Sequence, residues 1–179
     1  MKSEAQNFSW KQVLRPIHWV TALVVFILDQ VSKFAVVTYI QMGDRVQLFP
    51  TINLIHTTNR GAAFGMFHHS GAIFRLFFFG AVTVICLYML LYWLGTTPQS
   101  EKLQRFCLAL ILGGAFGNLF DRMAYGEVTD FIDFYIGNYH WYTFNIADSA
   151  ISVGVTLLLF TMLFGSKSKS KFDNKKSGK

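Results

Sequence analysis

Two aspartates carry the chemistry that this sequence offers most directly. Asp130 stands in the stretch Val128-Thr129-Asp130-Phe131-Ile132-Asp133, and Asp148 in Phe144-Asn145-Ile146-Ala147-Asp148-Ser149-Ala150, each at the margin of an apolar segment. A carboxylate at the edge of hydrocarbon is costly to keep charged, and two that converge can share one proton, which is the electrostatic basis of water activation by paired acids. About eighteen residues separate them, enough chain to fold back and bring both carboxyls to one place. Each acid also has a structural explanation. Asp148 falls in the first turn of an apolar run that reads as a helix, where the helix dipole and free backbone N–H groups favour a carboxylate. Asp130 and Asp133 fit solvated loop acids, Asp133 above all.

Other polar groups sit within apolar runs, where each ionisable residue costs a few kcal/mol to insert into a membrane and is a functional candidate by default. Asp29 and Lys33 are an i, i+4 pair with the acid first, the favourable orientation for an intrahelical ion pair, so self-neutralisation competes with a role in a site. Asn118, Asp121 and Arg122 lie at i, i+3 and i+4 and present an amide, a carboxylate and a guanidinium on one helix face. They form either a helix-end patch that satisfies loop backbone or a set of inward groups able to hold a substrate's carbonyls. Just before them, Gly113 and Gly117 form a small-xxx-small pair that permits close helix packing. Gly61 opens the run Gly61-Ala62-Ala63-Phe64-Gly65, small residues where backbone can approach a ligand or another helix.

Other chemistries find less support. Ser32 and Lys33 are adjacent and point to different sides of a helix, so a Ser-Lys dyad needs a partner from elsewhere. The histidines, His18, His56, His68, His69 and His140, have no HExxH spacing, and no Gly-rich phosphate loop follows a strand. Cys86 and Cys107 fall inside apolar runs without metal-ligand spacing and read as buried free thiols. A zinc peptidase is therefore a poor reading, and nucleotide use has no support.

These residues need elements to position them, and the composition says which. Of 179 residues 53% are hydrophobic and only 15% charged, with a mean hydropathy of +0.37, too apolar a balance for an ordinary soluble domain. Four apolar runs approach the ~20 residues needed to cross a bilayer: Ile17 to Ile40, Ile73 to Leu94, Leu103 to Phe120 and Phe144 to Phe164. The first is an uncleaved helix, because Asp29, Gln30, Ser32 and Lys33 follow where a signal peptide would carry small residues. The net charge of +6 is concentrated on one side of a four-span topology: Lys2, Lys11 and Arg15, then Lys102 and Arg105, then the lysines from Lys167 to Lys179. By the positive-inside rule both termini are cytoplasmic, and the basic tail faces solvent or anionic lipid rather than nucleic acid.

Between spans 1 and 2, Val46, Leu48, Ile52 and Leu54 alternate with polar neighbours around Pro50, a period of two that predicts short strands. The expected fold is an all-α membrane protein with four transmembrane helices and a small β-rich platform on the outer face between helices 1 and 2. Residues 1–165 form a single membrane domain, and 166–179, alternating Ser and Lys, form a basic disordered tail.

Five blocks carry a resemblance. They are Asp29-Gln30-x-Ser32-Lys33, Asn59-Arg60-Gly61-Ala62-Ala63-Phe64, Gly113-Gly114-Ala115-x-Gly117-Asn118-x-x-Asp121-Arg122, Asp130-Phe131-Ile132, and Phe144-Asn145-x-Ala147-Asp148-Ser149-Ala150. In this order they resemble the motifs of bacterial lipoprotein signal peptidase, signal peptidase II, an integral-membrane aspartic protease. Thr129 departs from the pattern, since the family commonly has Val there. The resemblance implies a catalytic dyad of Asp130 and Asp148. It also implies polar active-site residues at Asn59, Asn118, Arg122 and Asn145, and supporting signature positions at Asp29, Lys33, Gly61 and Asp121. It further implies a monomeric, multi-pass protein of the bacterial inner membrane with its active site and β platform near the periplasmic side. The substrate would be a diacylglyceryl-modified prolipoprotein cut before the lipidated cysteine, and globomycin-type cyclic peptides would inhibit. A proton-coupled transporter with Asp29, Lys33, Asp121 and Arg122 as a relay is the alternative from another class. Against it, no acid stands in the inner halves of spans 2 and 4. A lipopeptide-binding protein without catalysis is the third reading.

Overall fold

The computed structural model describes residues 7–60 and 71–176. Gly61 and the small-residue run that follows it lie outside the described residues. The first described element is a single helical turn, α1 (Trp10–Val13), and the chain enters α2 (Pro16–Tyr39) through Pro16, whose fixed φ and missing N–H suit a first helical turn. Two strands follow, β1 (Arg45–Phe49) and β2 (Ile52–Asn59), then α3 (Ala72–Thr96) and α4 (Lys102–Tyr125). The chain closes with β3 (Val128–Ile136), β4 (Tyr139–His140) and α5 (Ile146–Lys176). Among the described residues four helical stretches are long and apolar enough to cross a membrane: Pro16–Tyr39, Phe77–Thr96, Lys102–Tyr125 and Ile146–Phe164. At about 1.5 Å per residue, the 24 residues of α2 reach past a hydrocarbon core of about 30 Å.

α4 is the central helix. Its Cys107, Leu108, Ile111 and Leu112 form the buried core with Ala22 of α2, Leu87 and Leu94 of α3, and Leu158 of α5. Lipid is as apolar as leucine, so close packing rather than water exclusion holds such helices together, and small residues make it possible. A Cβ on Gly114 would collide with the Ala147 carbonyl of α5, and one on Gly117 would stand 2.5 Å from Asp29 Oδ2 of α2. The backbone of α4 thus lies against the first turn of α5 and against the acid of α2. Both cysteines are free, Cys107 buried as expected but Cys86 exposed on α3.

The β platform differs from the expectation. Its four strands pair antiparallel in the order β1-β2-β3-β4, so half of them come from the connection between α4 and α5 rather than from the loop between the first two spans. The fold is therefore helical with a sheet, not all-α. Buried acids interrupt the apolar alternation of β3: Asp130 and Asp133 are buried, while Phe134 and Ile136 are exposed. In the register of β2 on β3, Thr57 faces Asp130, Asn53 faces Asp133 and Asn59 faces Val128. Gly126 makes the link. Its φ of +76° is a left-handed helix end that glycine adopts without strain, and its N–H bonds to the Arg122 carbonyl at 3.1 Å. Two residues later β3 begins, which fixes Asp130 relative to the polar end of α4. At the other end, α5 continues helically through 166–176, the stretch expected to be disordered. Ser and Lys extend a helix that is already nucleated at small cost.

Candidate active site

Asn145 precedes α5 and caps it. The Asp148 N–H donates to Asn145 Oδ1 at 2.9 Å, and the Asn145 N–H donates to Asp148 Oδ2 at 3.3 Å, a reciprocal capping box. The helix-end explanation of Asp148 is therefore correct as local structure. Its other oxygen is engaged too, because Asn118 Nδ2 of α4 donates to Asp148 Oδ1 at 2.8 Å. The free N–H groups of a helix start favour negative charge at this position.

Asp130 comes from β3 and is 4% exposed. Asn145 Nδ2 donates to its Oδ1 at 2.7 Å, and Asn59 adds a side-chain hydrogen bond. Burial first, and then the charge of Asp148, push the Asp130 carboxyl up to about 7, against the hydrogen bonds from Asn59 and Asn145 and the charge of Lys33. The two acids thus meet through Asn145, which is fully buried and serves one with its oxygen and the other with its nitrogen.

Asn118 ties this pair to a third group. Its Oδ1 accepts from Lys33 Nζ at 3.1 Å and from Asn145 Nδ2 at 3.2 Å, so both ends of the amide are engaged within the protein. Lys33 lies 2.7 Å from Asp29 Oδ2 and 2.7 Å from Asp121 Oδ2, all three groups being buried. The i, i+4 pair is therefore not self-contained, since one ammonium serves two carboxylates. Gln30, quoted in a motif block but given no role by the sequence reading, donates to Asp121 Oδ1 at 2.9 Å and to Asp29 Oδ2 at 3.1 Å. A glutamine in an apolar span is the available signal. Asp29 Oδ1 accepts the Ala147 N–H at 2.9 Å, so a carboxylate of α2 satisfies an amide in the first turn of α5, beside Asp148.

Arg122 Nη1 donates to the Asn118 carbonyl at 3.1 Å, and its guanidinium lies 5.2 Å from the Phe79 ring centroid, a cation-π distance. Asp148, Asp130 and Asp121 all attract its charge. Ser32 Oγ donates to the Asp29 carbonyl rather than engaging Lys33. Asp133, expected as a solvated loop acid, is 3% exposed. Asn53 Nδ2 donates to its Oδ2 at 2.9 Å, His140 Nδ1 stands 2.7 Å from its Oδ1, and Arg45 Nε lies 3.6 Å away.

Two cavities flank the start of β3 on opposite faces. One, of about 380 Å³, is lined by Asp130 with Thr57, Asn59, Arg60, Trp141 and Tyr142. The other, of about 530 Å³, is lined by Thr129 with Lys33, Asp121 and Gln30. Successive strand residues point to opposite faces, so the polar Thr129 faces the second cavity and leaves Asp130 to the first. Among the described residues no three of His, Cys, Asp and Glu converge as metal ligands would.

The family described as Signal peptidase (SPase) II matches residues 21–164. The lipoprotein signal peptidase of Alteromonas mediterranea is 42% identical over 153 residues, covering 86% of this chain and 83% of the relative. That of Salmonella typhimurium (strain LT2) is 46% identical over 137 residues, covering 76% and 82%. A solved structure described as a bacterial membrane enzyme, at 2.3 Å resolution, superposes with a TM-score of 0.77 at 32% identity, covering 92% of this chain and 95% of the other. A second, at 1.9 Å, gives 0.76 at 32% identity over 90% and 99%.

Proposed function

The chain belongs to the signal peptidase II family, and on that premise we propose that it is an aspartic endopeptidase that removes signal peptides from diacylglyceryl-modified prolipoproteins, cutting before the lipidated cysteine. The relatives' name, lipoprotein signal peptidase, supports the substrate class. The observation that carries the mechanism is the Asn145 side chain, which bonds at once to Asp130 Oδ1 and to the N–H of Asp148.

The two acids take different parts because their surroundings differ. Asp130, buried and raised to about 7, is the protonated partner. Asp148, at the start of α5 and already accepting from Asn118 and the Asn145 N–H, is the carboxylate. A water between them gives a proton to Asp148 as its oxygen attacks the scissile carbonyl carbon, and Asp130 protonates the carbonyl oxygen. Collapse of the tetrahedral intermediate breaks the C–N bond. Asp148 then passes its proton to the leaving amine, and a hydroxyl of the intermediate returns one to Asp130, restoring the starting state. Asn118, Asn145, Asp29 and Lys33 position the first turn of α5, and Asn59 holds Asp130. Arg122 supplies positive charge beside the dyad, and Asp121 holds Lys33. Neither metal nor organic cofactor takes part.

The protein spans the bacterial inner membrane with both termini in the cytoplasm, since Arg15 before α2 and Lys102 and Arg105 of α4 gather around one cavity and the lysines from Lys167 onward follow the fourth apolar run. The dyad then faces the periplasm, where the substrate's lipid anchor rests in the outer leaflet and its signal helix enters laterally. Trp141 and Tyr142, beside Asp130, suit that interface. A gel-shift assay of the purified monomer with a diacylated prolipoprotein tests the reading. Asp130→Asn and Asp148→Asn should each abolish cleavage while remaining folded, and globomycin should block the parent. Cleavage by either variant would overturn the dyad.

A further inference from the structure

The end of the bundle opposite the sheet holds a second polar cluster that the proposed chemistry does not use. Arg105, in the first turn of α4, is 3% exposed and engages every donor it has. Its Nε and Nη2 reach His18 Nε2 at 3.1 and 2.8 Å, and Nη2 also donates to the Gln12 carbonyl at 2.7 Å. Its Nη1 donates to Gln12 Oε1 at 2.8 Å, to the Thr97 carbonyl at 2.5 Å and to the Leu94 carbonyl at 3.3 Å, the last two at the negative end of α3. All these partners are neutral. A guanidinium can only donate, so His18 Nε2 accepts and the imidazole proton stands on Nδ1, for which no protein partner is found among the described residues.

His18 and Arg105 line a cavity of about 260 Å³ between the starts of α2 and α4, together with Arg15, Lys102 and Gln99. Arg15 Nη2 donates to Gln99 Oε1 at 2.9 Å, and Lys102 has no ion pair among the described residues. Among the described residues no carboxylate lines the cavity. Glu101 stands next to it in sequence, at the N-cap of α4, but is not part of the lining. The remaining wall includes Ile17 and Phe106, both exposed on the outside of the bundle.

Three cations around a space that no described acid lines maintain a positive potential that an anion would offset, and the adjoining apolar wall would accept a hydrocarbon chain. We propose that this cavity binds the phosphate of an anionic phospholipid. Arg15 and Lys102 take the phosphate oxygens, the His18 Nδ1–H supplies a further donor, and the acyl chain lies over Ile17 and Phe106. Arg105 contributes its charge without direct contact, because its N–H groups are all engaged. The positive-inside rule puts this end at the cytoplasmic leaflet, which agrees with a basic site between helix ends.

Native mass spectrometry of the full chain, with phosphatidylglycerol, phosphatidylcholine or inorganic phosphate added, is the test. Phosphatidylglycerol should be retained over phosphatidylcholine, and the double variant Arg15→Gln/Lys102→Gln should lose roughly tenfold of that preference. The charge-preserving Arg15→Lys/Lys102→Arg should keep it. So should Lys11→Gln, which removes an exposed cation of the same end from outside the cavity. No preference in the parent, or an equal loss in Lys11→Gln, would overturn the site. Inorganic phosphate bound as strongly as the lipid would overturn the assignment to a lipid.

Discussion

Asn145 donates its side-chain N–H to Asp130 Oδ1 at 2.7 Å. The same amide caps α5 through its oxygen, so one residue sets both the start of a helix and the place of an acid from another element. These two duties separate by substitution. Asn145→Ser keeps a capping oxygen but has no second donor able to reach Asp130, whereas Asn145→Ala loses both. We expect the thermal midpoint of Asn145→Ser to stay near that of the parent while Asn145→Ala loses about 1 kcal/mol. Turnover of a diacylated prolipoprotein should fall about a hundredfold or more in both, as misplaced catalytic groups do. Full turnover in Asn145→Ser would show that the bond to Asp130 has no part in catalysis.

The raised carboxyl of Asp130 predicts a pH dependence whose sign can be worked out. In the folded chain this group keeps its proton up to about 7, whereas the unfolded chain releases it near 3.8. Between those values the folded state binds one more proton, so its stability declines as pH rises from about 4 to 7. Asp130→Asn removes the titration. The variant should match the parent in melting temperature below pH 4 and exceed it at pH 8. The gap should reach a few kcal/mol, since a tenfold difference in proton affinity between folded and unfolded chain is worth about 1.4 kcal/mol. Cleavage by the parent should also decline above pH 7 as Asp130 loses the proton it donates. A variant less stable than the parent at pH 8 would contradict the burial argument.

The four apolar helices are legible because twenty-residue apolar runs are local in sequence, and Asp130 and Asp148 draw attention because both acids stand at segment margins, although the Asn145 that bonds to each is visible only in the fold. The capping duty of Asp148 is readable, since a helix start announces itself within a few residues. Asp133 is not. What buries it is Asn53 from β2, eighty positions away, and Arg45 from β1, partners that only the sheet register brings near. The same register hides β3, whose buried positions include acids where a strand pattern calls for apolar residues. In sequence Lys33 has Asp29 as its one evident partner, because i, i+4 neighbours are visible there and Asp121, on another helix, is not.

That shared ammonium makes a further prediction. Lys33 is the counter-charge for two buried carboxylates, Asp29 and Asp121, each 2.7 Å from its Nζ. Lys33→Met leaves both acids without it, and removing one partner of a buried pair costs about 3–5 kcal/mol. Melting of the purified variant in detergent should drop accordingly. The triple variant Asp29→Asn/Lys33→Met/Asp121→Asn, which is neutral throughout, should recover much of the loss. If it melts no higher than Lys33→Met alone, uncompensated charge is not what Lys33 relieves.

Asp133 provides the opposite pH signature to Asp130. Its burial favours the neutral form, but hydrogen bonds from Asn53 and His140, with the charges of His140 and Arg45, outweigh that and hold its carboxyl below the usual 3.8. A carboxyl depressed in the folded state contributes stability that is present above the unfolded value and is lost as pH falls through the folded one. Asp133→Asn should therefore lower the melting temperature at pH 7, with the difference from the parent closing below pH 3.8. His140 ends the two-residue β4, so this contact holds the stretch that leads to Trp141 and Tyr142 beside Asp130. His140→Ala should consequently raise KM for prolipoprotein more than it lowers kcat, because it loosens the cavity wall without touching either acid. A pure loss of kcat would mean that the hairpin acts on the dyad and not on the substrate.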